Sequence, residues 1–172
     1  MTRQRAKIMN LTVNHLIQTV FKEFSKHRVE RFTMKDLAQI ADISRSSIYR
    51  YFDCIDYVYK EVFERLILKE ITQDCQSSDE LIERFVNYVH DNETFCLNLY
   101  YRTALMLRTE HIIKVLNELI FKYDQKDHSD KWYMIGGFIC TLEDWFNGNL
   151  KRDKQLVIND LLSYNSVIKS VC

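Results

Sequence analysis

Between residues 33 and 51 the chain gathers Thr33, Lys35, Ser44, Arg45, Ser46, Ser47, Tyr49, Arg50 and Tyr51. These side chains carry hydrogen-bond donors and positive charge, which is the chemistry of gripping a polyanion. An arginine fork can pair with both acceptors on the major-groove edge of guanine, and small serines allow a helix to come close to base edges. Lysine, hydroxyl groups and helix N-termini suit phosphate oxygens, which position a protein on a duplex without reading its sequence. Charge points the same way. Residues 1–52 hold ten Lys/Arg against four Asp/Glu, whereas residues 53–172 hold fourteen against twenty, so a formal net charge of zero conceals a basic amino-terminal third. Such asymmetry suggests that one end of the chain faces a polyanion.

Other chemistries find little support. The histidines (His15, His27, His90, His111 and His128) fall in no zinc-binding pattern, and there is no GxSxG, P-loop or GxGxxG. With Gly136, Gly137 and Gly148 as the only glycines, phosphate-cradling loops are nearly excluded. The cluster of Asp124, Asp127, His128 and Asp130 reads as a solvated loop. The five cysteines are odd in number, widely spaced and without a CxxC pair. With no signal-peptide pattern and no apolar run long enough to span a membrane, the expectation is a cytoplasmic protein with reduced thiols, no cofactor, no metal and no enzymatic activity.

The elements that must position the basic cluster are helices. A chain of 172 residues with no proline and no glycine before position 136 lacks the residues on which the turns of hairpins and barrels draw most heavily, which implies an all-α fold of about nine helices. Apolar residues from Leu11 through Phe24 recur at three- and four-residue steps, giving an amphipathic helix to Lys26 after a short basic arm at residues 1–9. Short helices are expected at Met34–Ala41 and from Arg45 to about Phe52, followed by a long one to about Asp74. Further helices are expected near 79–92, 93–108, 110–124, 130–148 and 154–171.

The stretch TMKDLAQIADISRSSIYRYF (residues 33–52) has the spacing of a helix-turn-helix. Ala38 supplies the small residue that a steep crossing requires, between Leu37 and Ala41. Ile43 fills the turn, Ile48 and Phe52 face inward, and Thr33 and Ser44 can cap the two helices. This segment resembles the DNA-binding domain of the TetR family of bacterial transcription regulators, in Thr33, Leu37-Ala38, Ala41-Asp42-Ile43-Ser44, Ile48-Tyr49 and Tyr51-Phe52. Two positions depart from the family pattern. Asp42 stands in place of the turn glycine, a position that Asp tolerates in the left-handed conformation, and Ile55 stands in place of a basic residue. The stretch from Gly136 to Gly148 resembles the carboxy-terminal domain of one branch of that family.

The resemblance implies a helix-turn-helix domain at residues 1–52 and a helical regulatory and dimerisation domain at 53–172. It implies a homodimer on double-stranded DNA, joined through helices near 130–148 and 154–171, and a repressor released by a small-molecule effector. The effector would tilt the helix at 53–74 and so change the separation of the recognition helices. A pocket lined by Phe95, Leu99, Tyr100, Tyr101, Leu105, Met106, Phe121, Trp132 and Phe138 is the candidate seat. Two alternatives stand beside it: a helical DNA-binding protein without effector, and an all-helical protein-interaction module.

Overall fold

The computed structural model describes the backbone of residues 3–103, 118, 122–123 and 136–171, and the side chains of residues 10–170 within that set. Among the described residues there are helices, turns and bends but no strand. The elements are α1 (Arg3–Lys26), α2 (Met34–Ala41), α3 (Arg45–Ile48), α4 (Ile55–Val62), a π-helical stretch (Phe63–Leu68), α5 (Lys69–Thr72), α6 (Ser78–Asp91), α7 (Glu93–Arg102), α8 (Gly136–Asn147) and α9 (Lys154–Val171). All-helical architecture agrees with a composition poor in turn formers.

Contacts divide the chain into two units, residues 1–68 with 94–103, and residues 69–93 with 104–172. In the first, α1 turns Leu16, Ile17, Val20 and Phe24 inward, each at most 1% exposed, where they meet Leu37, Ile48, Val58 and Val62 in one core. Aromatic edges lock it. The ring centroids of Phe24 and Phe32 lie 5.2 Å apart, and those of Phe21 and Phe95 4.8 Å, both T-shaped. Offset and edge-on geometries of this kind add to what area burial alone gives.

In the second unit α9 lies against α6 and α8. Val157, Ile158, Leu161 and Ile168 of α9 are buried, with Leu81, Ile82 and Val86 of α6 and Phe138 and Trp145 of α8. A polar pin sits in this apolar packing. Asn165 Nδ2 donates to Ser78 Oγ at 2.8 Å and to Asp79 Oδ1 at 2.5 Å, while Lys169 Nζ donates to Asp79 Oδ1 at 2.9 Å. Burial pushes the Asp79 carboxyl upward, but the bonds from Lys169 and Asn165 outweigh it and hold the group below the usual range.

Several boundaries differ from the sequence expectation. Helix α1 begins at Arg3, so most of the expected basic arm is helical; no proline or glycine interrupts residues 3–10. The recognition helix closes at Ile48, and residues 49–51 continue as turns. The long helix is broken by the π-helical stretch and ends at Thr72, where Asp74 adopts the left-handed conformation (φ 55°). Helix α7 runs to Arg102 with a bend at Thr103, and the rest of the span expected to 108 lies outside the described residues. The helix expected at 110–124 and the loop at 125–130 fall largely outside the described residues, as does the start of the one expected at 130–148.

Candidate nucleic-acid interface

The helix-turn-helix is built from its caps. Thr33 is the N-cap of α2: its hydroxyl accepts from Asp36 N at 3.3 Å, while its own backbone N–H and its hydroxyl donate to Asp36 Oδ2 at 2.8 and 2.7 Å. This reciprocal arrangement is a capping box with aspartate at the third helical position. Hydrogen bonding from Thr33 holds the Asp36 carboxyl below its ordinary range, against the opposing effect of burial. At the other end Asp42 takes φ 53°, ψ 43°, and its N–H reaches the carbonyls of Ala38 and Gln39. Aspartate thus fills the left-handed position where the family pattern has glycine.

Ser44 is the N-cap of α3, accepting from Ser47 N at 3.2 Å. Its hydroxyl also lies 3.1 Å from that of Ser46 and 2.9 Å from that of Ser47, so the three serines form one hydrogen-bonded cluster at the head of the recognition helix. Ala38, Ala41 and Leu37 are buried beneath it, and Ile48 and Phe52 point inward as the spacing predicts. Ile43 is only half-buried. The turn is instead closed by backbone bonds, with Ile43 N donating to Ala38 O at 3.0 Å.

Above this core the candidate contacts separate by exposure. Lys35, Ser44, Arg45, Ser46, Tyr49 and Arg50 are exposed, Tyr49 by 51%, whereas Thr33, Ser47 and Tyr51 are half-buried. Residues 45, 46 and 49 share one face of α3 and its following turn. The capping box uses the Thr33 hydroxyl as both donor and acceptor, which leaves Lys35 as the freely presented cation of the first turn of α2.

A residue that sequence reasoning missed ties α1 to this module. His15 Nε2–H donates to Ala41 O at 2.9 Å, satisfying a carbonyl at the end of α2, where the macrodipole favours a donor. Its position on α1, 26 residues before its partner, gives no local signal.

The residues proposed to line a pocket are distributed over both units. Phe95 and Leu99 are buried in the core of the first unit, and Tyr100 is half-buried with its ring edge-on to Tyr101, centroids 5.2 Å apart. Phe138 is buried in the second unit. Leu105, Met106, Phe121 and Trp132 lie outside the described residues. No group of three or more His, Cys, Asp or Glu among the described residues could hold a metal ion, and no described helix is long and apolar enough to cross a membrane.

Residues 16–62 match the family model described as bacterial regulatory proteins, tetR family. No curated protein and no solved structure matches the chain significantly. The matched span runs from the buried face of α1 through the capped helix-turn-helix to the end of α4. With the geometry of α2 and α3, that match identifies residues 16–62 as similar to the DNA-binding domain of the tetR family of bacterial regulatory proteins.

Proposed function

We propose that the protein is a repressor that binds a near-palindromic operator as a homodimer and is released by a small molecule held in its carboxy-terminal part, residues 53–172 forming the regulatory and dimerisation domain. The observation that carries the reading is the exposed face of α3, where Arg45, Ser46 and Tyr49 stand clear of a core that fixes the helix beneath them. Arg45 is assigned the guanine edge and Ser46 and Ser47 close approach, with Lys35, Arg50 and Tyr51 on phosphates and Thr33 and Ser44 presenting helix N-termini. One helix of this size reads few base pairs, so a useful site needs two copies.

Helix α9 supports the dimer. Leu156, Tyr164 and Val167 are 53%, 43% and 54% exposed in the single chain and fall within one side of the helix. Apolar side chains grouped in this way on a soluble helix suit burial against a symmetry mate. Selection of bound sequences from random DNA tests the reading. An inverted repeat with half-sites about one helical turn apart is expected, and an asymmetric consensus or no enrichment would overturn it. A thermal-shift screen of small molecules tests release, since a ligand that prefers one folded state raises the melting temperature and lowers operator affinity together.

A further inference from the structure

Helix α1 ends without a device of its own. No residue near Lys26 takes the left-handed conformation, and no glycine is present to do so. The carbonyls of a last helical turn nevertheless need donors. They find one in Asn98, in the middle of α7, whose Nδ2 donates to Phe24 O at 2.8 Å and His27 O at 2.7 Å while its Oδ1 accepts from Val29 N at 2.9 Å. The Asn98 side chain is fully buried.

Neighbouring groups of α7 hold the same connector. The Arg102 guanidinium donates to Glu30 O, and Arg28 lies over the Tyr101 ring at 4.1 Å from its centroid. Beyond Val29 the chain buries Phe32, whose carbonyl accepts from Tyr59 OH at 3.4 Å, and then enters α2 at the Thr33 cap. A carboxamide presenting two donors and one acceptor in a plane thus fixes both the exit of α1 and the course of the connector leading into the helix-turn-helix.

We propose that Asn98 is a positioning residue for DNA binding: through Phe24, His27 and Val29 it sets where α2 and α3 sit on α1, and hence how Arg45 and Ser46 meet base edges. Asn98 touches no DNA. Its loss therefore degrades discrimination between sequences more than attraction to phosphate, since Lys35 and Arg50 keep their charge and exposure.

The test uses the full chain and two duplexes, one selected by the wild-type protein from random DNA and one with that site scrambled. Asn98→Asp keeps the shape and the acceptor for Val29 but sets a carboxylate against two carbonyls. Leu97→Ala, a truncation of a buried neighbour on the same helix, serves as a stability control. Well below the melting temperature of each variant, Asn98→Asp is expected to lower the ratio of selected to scrambled affinity at least tenfold, with scrambled binding within about threefold of wild type. Leu97→Ala should leave that ratio unchanged. An unchanged ratio in Asn98→Asp, or an equal fall in both variants, would overturn the proposal. Wild-type protein that selects no site would instead count against the operator reading. Should Asn98→Asp not fold, hydrogen exchange on the wild-type protein decides: the Val29 amide is expected to be protected like the interior of α7, and exchange as fast as an open connector would overturn the assignment.

Discussion

The ends of α1 and α2 solve one problem in opposite ways. At Asp42 the chain turns left-handed and satisfies the Ala38 and Gln39 carbonyls with the next amides in line, His15 of α1 adding a donor to Ala41 O. At Lys26 it does not turn back on itself, and the carbonyls are satisfied by a side chain 71 and 74 residues further on. The first solution is mainly local, so the turn it closes is shaped chiefly by its own backbone. The second is possible only when α7 is in place, so the exit of α1 inherits whatever happens to α7. In a chain without glycine before position 136, the difference shows that a distant carboxamide can replace a missing backbone conformation.

The sharpest way to break the comparison is to unmake the local module. Ile48 is fully buried in a four-residue helix, and Ile48→Ala is expected to cost about 2–5 kcal/mol in denaturant unfolding, with loss of DNA binding. A cost below that of a surface substitution would mean the module is not held from within. Next in size, Arg45→Ala should cost about 1–3 kcal/mol at one base position of each half-site in competition binding. The melting temperature should be unchanged, because Arg45 is exposed. A uniform loss across sequences would move Arg45 from base reading to phosphate.

Smaller effects sharpen the contrast. Thr33→Ala removes one acceptor from the start of α2 and should cost about 1 kcal/mol by chemical unfolding. Finally, the depressed Asp36 carboxyl contributes stability that is present above the unfolded aspartate value and is lost as pH falls through its lower folded value. As pH falls below the ordinary aspartate range of about 4, Asp36→Asn should therefore show a shallower acid loss of melting temperature than wild type. Equal slopes would remove the capping box from the acid limb.

What could be read in advance follows the same division. Thr33, Ala38, Asp42, Ser44 and Ile48 act on neighbours a few positions away, and their types state their roles: cap, small contact, left-handed turn, cap and core. Their positions in the structure agree. Asn98 and His15 act across 69 to 74 and 26 residues respectively, and each looks like an ordinary polar residue within a helical pattern. The π-helical stretch Phe63–Leu68 was equally illegible, because FERLIL keeps a helical apolar pattern and says nothing of an added residue per turn. The bend after α7 has a faint sign in Thr103, whose hydroxyl donates to Leu99 O at 2.6 Å. Threonine is too common within helices to mark an end.

Gly137 on α8 faces Tyr164 of α9 so closely that a β-carbon there would stand 2.7 Å from the ring. Nothing at this position requires an unusual backbone, because no glycine here has positive φ. The bare α-carbon is a matter of room. Descendants of this gene should therefore tend to change the two sites in concert: alanine at 137 fits most easily where 164 has shrunk, and a ring at 164 opposite alanine has to swing toward solvent.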